Sequence, residues 1–199
     1  ESMLPSVLYA RDRYLREGGI LAPSHSRMVL AAATDRGVLC ERSRFWSDVY
    51  GFRMPSMTQG LTSEAATEDV EADAIVSDVA TICDLPLEQI PAAQPSFTAP
   101  FSLHVKEACK VHGFVSWFDT WFAPTPHMAF DELPPVTVSP VQPSDVHGLD
   151  LHRNEVVEAS EATHGETVSF TTSPFGKPTH WKQTIFLLKT PIEVQAGTC

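Results

Sequence analysis

The chain has 199 residues, 43% of them apolar, and its 25 acidic against 14 basic side chains give a formal net charge of −11. That length and apolar content provide for one large domain, or a domain with an appendage, around a real core. The charge argues against nucleic acid or an anionic membrane as the main partner; it suits a basic polypeptide, with plain surface solvation as the simpler cause.

The apolar runs fall far short of a membrane span, and no signal-peptide pattern is visible. The four cysteines, Cys40, Cys83, Cys109 and Cys199, form no CxxC pair and no zinc spacing. Widely scattered in a chain of this size, they read as reduced thiols of an intracellular protein. The expected location is the cytoplasm, with the nucleus open. The chain starts at Glu1 inside a helical pattern and stops at Cys199 just past an apolar strand, which reads as a piece of a longer protein.

Residues 2–17 carry the first helical pattern. Ser2 is a candidate N-cap, and Pro5 is tolerated in a first turn. Leu4, Val7, Leu8, Tyr14 and Leu15 recur on one face, and Gly18 and Gly19 end the helix. Residues 20–21 and 28–33 read as short strands parted by a PSHS turn.

From Glu41 the character changes. The run FWSDVYGFRM at 45–54 is rich in aromatics and must dock on something. Residues 58–78 are polar, small and acidic, and between Asp48 and Glu88 the single base is Arg53. An arm fits this better than a core layer, with an ordinary acidic surface excursion as the alternative.

Residues 79–83 resume a strand pattern, and 97–107 and 111–122 read as longer strands. In the last of these Phe114, Trp117 and Trp121 stand beside Ser116, Asp119 and Thr120, so strict alternation fails and both faces are expected to be partly covered. Residues 124–165 hold six prolines, several acids and few bases, and read as an inserted mobile loop. His127, His147, His152 and His164 crowd into it at spacings that match no metal motif, so solvated histidines are expected and no metal. Residues 168–171, 184–188 and 192–194 close the chain as strands. The whole pattern predicts a mainly β fold, an antiparallel sandwich or barrel behind an N-terminal helix.

Four stretches carry a resemblance. ESMLPSVLYARDRYL at 1–15, FWSDVYGFRM at 45–54, FTAPF at 97–101 and THWKQ at 179–183 follow one another in the order and rough spacing of the protein arginine methyltransferases. The first resembles the run after the second glutamate of that family's double-E loop. The second resembles the start of its dimerisation arm, the third a barrel strand, and the fourth its THW loop. The match covers nearly all of the chain except 124–165. The wording around Trp46 and Trp181 is similar to the enzymes that make asymmetric dimethylarginine (type I).

The resemblance implies an antiparallel β-barrel, or roll, with an N-terminal helix and an inserted helical arm. It implies that residues 1–19 link to an absent methyltransferase domain, and that 20–199 form the barrel domain, with the arm at about 41–78 and the insertion at about 124–165. The implied cofactor is S-adenosylmethionine, bound mainly by that absent domain. The implied partners are arginine-rich protein substrates and a second copy of the intact protein, with no nucleic acid and no membrane. The barrel stops early at Cys199, so an open sheet edge is expected unless further strands follow.

The implied chemistry is methyl transfer to a guanidine nitrogen. A guanidinium is a poor nucleophile, because its lone pairs are delocalised and its pKa lies above about 12. Two carboxylates can grip it through fork-like hydrogen bonds and leave one nitrogen free. Positioning of that kind is worth about 7–11 kcal/mol in favourable cases.

By the resemblance, Glu1 and His180 are the catalytic residues. Glu1 supplies one carboxylate; a frayed terminal glutamate is its plain alternative. His180 orients the carboxylate network in preference to accepting the departing proton. Thr179, Trp181 and Met3 belong to the substrate side: Trp181 shapes the entrance, and Met3 limits which dimethyl product fits, with core packing as its alternative. Trp46, Tyr50, Phe52 and Met54 anchor the arm to a second subunit, on a surface that this chain lacks. The chain alone is therefore expected not to form the ring dimer and to be inactive. The competing readings are a non-catalytic binding or oligomerisation module that keeps the fold, and an unrelated antiparallel β-domain.

Overall fold

A computed structural model describes residues 3–35, 37–91, 97–138 and 165–197. Helix α1, Leu4–Tyr14, opens the chain with its proline in the first turn. Its N-cap is Met3, which supplies no side-chain cap; Ser2 lies outside the described residues. Leu8 is the buried anchor of the helix, whereas Tyr14 is 72% exposed, so the apolar face is shorter than its spacing suggests. Arg11 docks the helix. Its Nη1 donates to the carbonyls of Leu87 and Ile90, each at 2.7 Å.

One antiparallel sheet follows. Its strands are β1 (His25–Ala33), β2 (Ala66–Glu68), β3 (Ala80–Pro86), β4 (Cys109–Phe122), β5 (Val168–Thr171) and β6 (Gln183–Val194). The order is β2-β6-β4-β1-β3, with β5 also paired to β4. Strand β4 is the hub, because β1, β5 and β6 all hydrogen-bond to it. Among the described residues the sheet does not close, and β2 and β3 stand at its two ends.

Two apolar clusters hold the sheet. One joins Val29, Ala31, Val115, Trp117 and Ile185. The other joins Ala32, Val76, Leu103 and Val111 on the opposite face. Both faces of β4 are covered, which is why its sequence does not alternate.

Two expected strands do not form. Residues 20–21 run as coil, with Ile20 49% exposed. Residues 97–107 make one isolated bridge, Val105 to Ser77, outside the named strands. Leu103 and Val105 are buried there, but Phe97 and Phe101 each stay 48% exposed. Pro100 lacks the N–H that a ladder needs, so apolar content alone did not make a strand. By contrast, 184–188 and 192–194 lie in one element. Their pairing to β4 breaks between Leu187 and Ile192, around Pro191, for the same reason.

Gly113 sits where that pairing resumes. A Cβ there would meet the Phe186 carbonyl oxygen at 2.5 Å, and that atom belongs to backbone that cannot swing aside. Gly113→Ala is expected to cost about 1–3 kcal/mol by overpacking, read as a lower midpoint of unfolding in denaturant. An unchanged midpoint would mean that β4 and β6 can separate freely.

The arm region follows β1. Helix α2, Val38–Phe45, leads to a short 3-10 turn at Pro55–Thr58, and the chain returns through β2. Between them a tight turn forms: Val49 and Phe52 exchange backbone hydrogen bonds at 2.9 and 3.0 Å, and the Met54 N–H donates to the Trp46 carbonyl at 2.9 Å. Among the described residues, no helix is long and apolar enough to cross a membrane.

Candidate functional site

The loop 172–182 joins β5 to β6 and carries Thr179, His180 and Trp181. A turn closes it, with the Lys182 N–H donating to the Thr179 carbonyl at 3.1 Å. Lys182 sits at φ 54°, a left-handed conformation that redirects the chain into β6. Its ammonium reaches Asp69 at 3.3 Å and Glu68 at 3.6 Å beside β2. Asp69 first, then Glu68, holds the Lys182 pKa above its ordinary value.

Aromatic packing fixes Trp181. Its ring stacks on Phe170 of β5, with centroids 5.6 Å apart at 24°, and meets Phe118 of β4 edge-on at 6.0 Å. Offset-stacked and edge-to-face geometries are the favoured ones for such rings. Trp181 nevertheless keeps 55% of its surface exposed. The His180 ring lies 6.0 Å from it and is exposed. No hydrogen bond to the imidazole forms among the described residues. The Thr179 hydroxyl oxygen is buried and likewise unpartnered among them.

Phe118 connects this loop to a groove of about 510 Å³ under α1. Leu4 and Val7 form one wall of it; Phe118, Ser116 and Thr184 form another. Met3, 68% exposed, directly precedes the first wall, and Trp181 packs on the second. The groove and the loop therefore share Phe118. Glu1 lies outside the described residues, as do His147, His152 and His164.

His127 is described. Its backbone N–H donates to Glu88 Oε2 at 2.6 Å, and its Nδ1 lies 3.2 Å from the same oxygen. Among the described residues, no group of three or more His, Cys, Asp or Glu side chains is placed to hold a metal ion.

The arm residues face out. Tyr50 is 98% exposed, Phe52 70% and Met54 39%, while Trp46 is half-buried beside Phe45. Their sequence demanded a surface to dock on, and the described residues do not supply one for Tyr50 or Phe52.

Three features escaped the sequence reading. The first is Gln183, buried at the root of β6. Its amide donates to the Thr172 carbonyl at 2.7 Å and accepts the Val70 N–H at 2.8 Å. A polar residue opening an apolar strand was the available signal. The second is the pair Phe118 and Phe170, which support Trp181. The third is a ladder across β3, β1, β4 and β5. Arg27 pairs with Asp84 through two hydrogen bonds of 2.6 and 2.9 Å, Asp119 lies opposite Arg27, and the Thr171 hydroxyl donates to Asp119 at 2.5 Å. Burial pushes the Asp119 carboxyl up, against the pull of Thr171 and Arg27.

A nucleotide-like cofactor needs a strand, a glycine-rich turn and a helix N-terminus in a parallel unit. All strand pairs described here are antiparallel. The described strands thus contain no unit of that kind.

Comparison with known proteins agrees with the geometry. A family model described as the arginine methyltransferase oligomerization subdomain matches residues 24–152 and 156–199. The ribosomal protein arginine N-methyltransferase rmt3 of Schizosaccharomyces pombe is 35% identical over 198 residues, which is 100% of this chain and 31% of that protein. Protein arginine N-methyltransferase 1 of the same yeast is 30% identical over 99% of this chain and 46% of its own length. The chain thus spans between about a third and a half of these relatives.

Among solved structures, the Trypanosoma brucei PRMT1 enzyme–prozyme heterotetrameric complex with AdoHcy superposes with a TM-score of 0.70 at 27% identity, covering 99% of this chain and 50% of that one. The Arabidopsis thaliana protein arginine methyltransferase 10 shares the fold, with a TM-score of 0.62 at 21% identity over 98% of this chain and 53% of its own. With the open roll, the exposed arm turn and the His-Trp loop in place, the chain belongs to the protein arginine methyltransferase family and carries its oligomerization subdomain.

Proposed function

We propose that this chain is the substrate-facing barrel and arm part of an S-adenosylmethionine-dependent enzyme that methylates arginine guanidino nitrogens in proteins and yields asymmetric dimethylarginine. One observation carries the reading. An exposed imidazole, His180, stands on a loop whose Trp181 packs on Phe118, and Phe118 lines a groove that Leu4 and Val7 of α1 also line. Residues 1–19 then link to the domain that holds the methyl donor.

In this reading Glu1 takes two guanidinium N–H groups on its carboxylate and fixes the plane of the acceptor. His180 holds the carboxylate network in line, and its exposure lets it do so without a desolvation cost. Trp181, propped by Phe170 and Phe118, sets one side of the entrance. Met3, at the start of α1, limits the room around the acceptor nitrogen. Tyr50, Phe52 and Met54 dock on a second copy in the intact protein. The net negative charge draws arginine-rich segments toward the site.

Incubation of the intact protein with an Arg-Gly peptide and the methyl donor tests this. Asymmetric dimethylarginine is expected by mass spectrometry of the digested peptide. Symmetric product would refute the subgroup. No transfer to any arginine peptide would favour a non-catalytic oligomerisation module.

A further inference from the structure

Strand β2 is the return limb of the arm region, and it pairs with the first residues of β6: Ala66 opposite Ile185, Thr67 opposite Thr184, Glu68 opposite Gln183. The loop that carries His180 ends at the same point. Gln183 is 3% exposed, and its single amide spans three segments. Its nitrogen holds the Thr172 carbonyl, where the loop leaves β5; its oxygen holds the Val70 N–H, just beyond β2; its own backbone begins β6. The two ends of the loop are therefore clamped to each other and to the arm by one side chain. On the surface above, Lys182 makes a second tie to Glu68 and Asp69.

A buried amide with both ends paired is a directional constraint, because moving either partner leaves a polar group unsatisfied. We propose that Gln183 is a positioning residue that couples the arm to the His180–Trp181 loop, so that seating of the arm against a partner and presentation of the imidazole change together. This rests on the reading of His180 as a residue of arginine methylation. Gln183 touches no substrate itself; it acts through the loop.

The test uses the intact protein with an Arg-Gly peptide. Gln183→Met keeps the volume and removes both hydrogen bonds. It is expected to lower kcat by about 10- to 100-fold, the scale set by ångström-level misplacement, with the peptide KM little changed. Combining it with Tyr50→Ala and Phe52→Ala is expected to give less than the product of the separate effects, because both act along one path. Gln183→Glu serves as the second variant. It keeps the acceptor for Val70 and loses the donor to Thr172 until its carboxyl is protonated, so its kcat relative to wild type is expected to rise as pH falls.

A wild-type kcat per folded molecule for Gln183→Met would overturn the inference, as would full multiplicativity with the arm variants or a pH-independent ratio for Gln183→Glu. His180→Ala, run in parallel, separates the two readings. If it is inactive while Gln183→Met is normal, only the coupling fails. If it is fully active, the reading of the loop fails first.

Discussion

Replacing His180 by alanine in the intact protein is expected to cut kcat/KM for an Arg-Gly peptide by about 10²- to 10⁴-fold, the range for loss of a positioned polar group in proton transfer or orientation. The melting temperature should barely move. The side chain is exposed, and no hydrogen bond among the described residues ties it to the fold. Surface changes of that kind stay within about 0.5 kcal/mol.

The contrast between activity and stability matters, because a structural histidine would lose both. His180→Gln refines the result. Its amide can still hold a carboxylate, so an orienting role predicts partial recovery over alanine. A proton acceptor predicts none. Glu1→Gln should be as damaging as His180→Ala, since a neutral amide no longer grips a guanidinium by charge. Full activity of Glu1→Gln would sink the carboxylate mechanism.

Ile185→Ala is expected to be the most destabilising simple truncation in the sheet. Ile185 is 1% exposed and lies on β6 between Ala66 of β2 and Val115 of β4. It fills the cluster with Val29, Ala31 and Trp117. Removing its outer carbons takes away transfer energy and leaves a cavity that paired strands on both sides cannot collapse. Such truncations cost about 2–5 kcal/mol, a drop in Tm on the order of 10 °C for a domain of this size. Ile192→Ala on the same strand is the control. Ile192 is 50% exposed and should lose far less. Equal losses at the two sites would show that the strand is held by backbone pairing alone and that the cluster contributes little.

Ile185 also lies two residues past Gln183, so its truncation should loosen the loop that carries His180. A fall in kcat beyond the loss of folded protein is the sign to look for.

Much of this was legible in the linear pattern. The spacing of Leu4, Val7 and Leu8 specified α1, because one helical stripe must find a cover. Residues 111–122 specified a strand covered on both faces, because large apolar side chains occurred at both parities. The exposed side chains of the arm were announced by the run FWSDVYGFRM at 45–54, too rich in aromatics beside the acidic stretch 58–78 not to need a docking surface. Other features were not legible. Residues 97–107 had strand composition, but Pro100 interrupts the ladder and the segment makes one isolated bridge, Val105 to Ser77. Strand β2, Ala66–Glu68, had almost no strand signal and exists because β6 offers it an edge.

The identities and order of the chain by themselves determined the helix, the principal strands and the Thr179-His180-Trp181 loop, since these depend on local periodicity and on a short motif. Only the tertiary structure decided that β2 pairs with β6, that Trp181 leans on Phe170 and Phe118, and that Gln183 ties the loop to the arm. Those depend on which segments, far apart in sequence, compete for the same hydrogen bonds and the same apolar surface, and that competition is settled only when they meet in space.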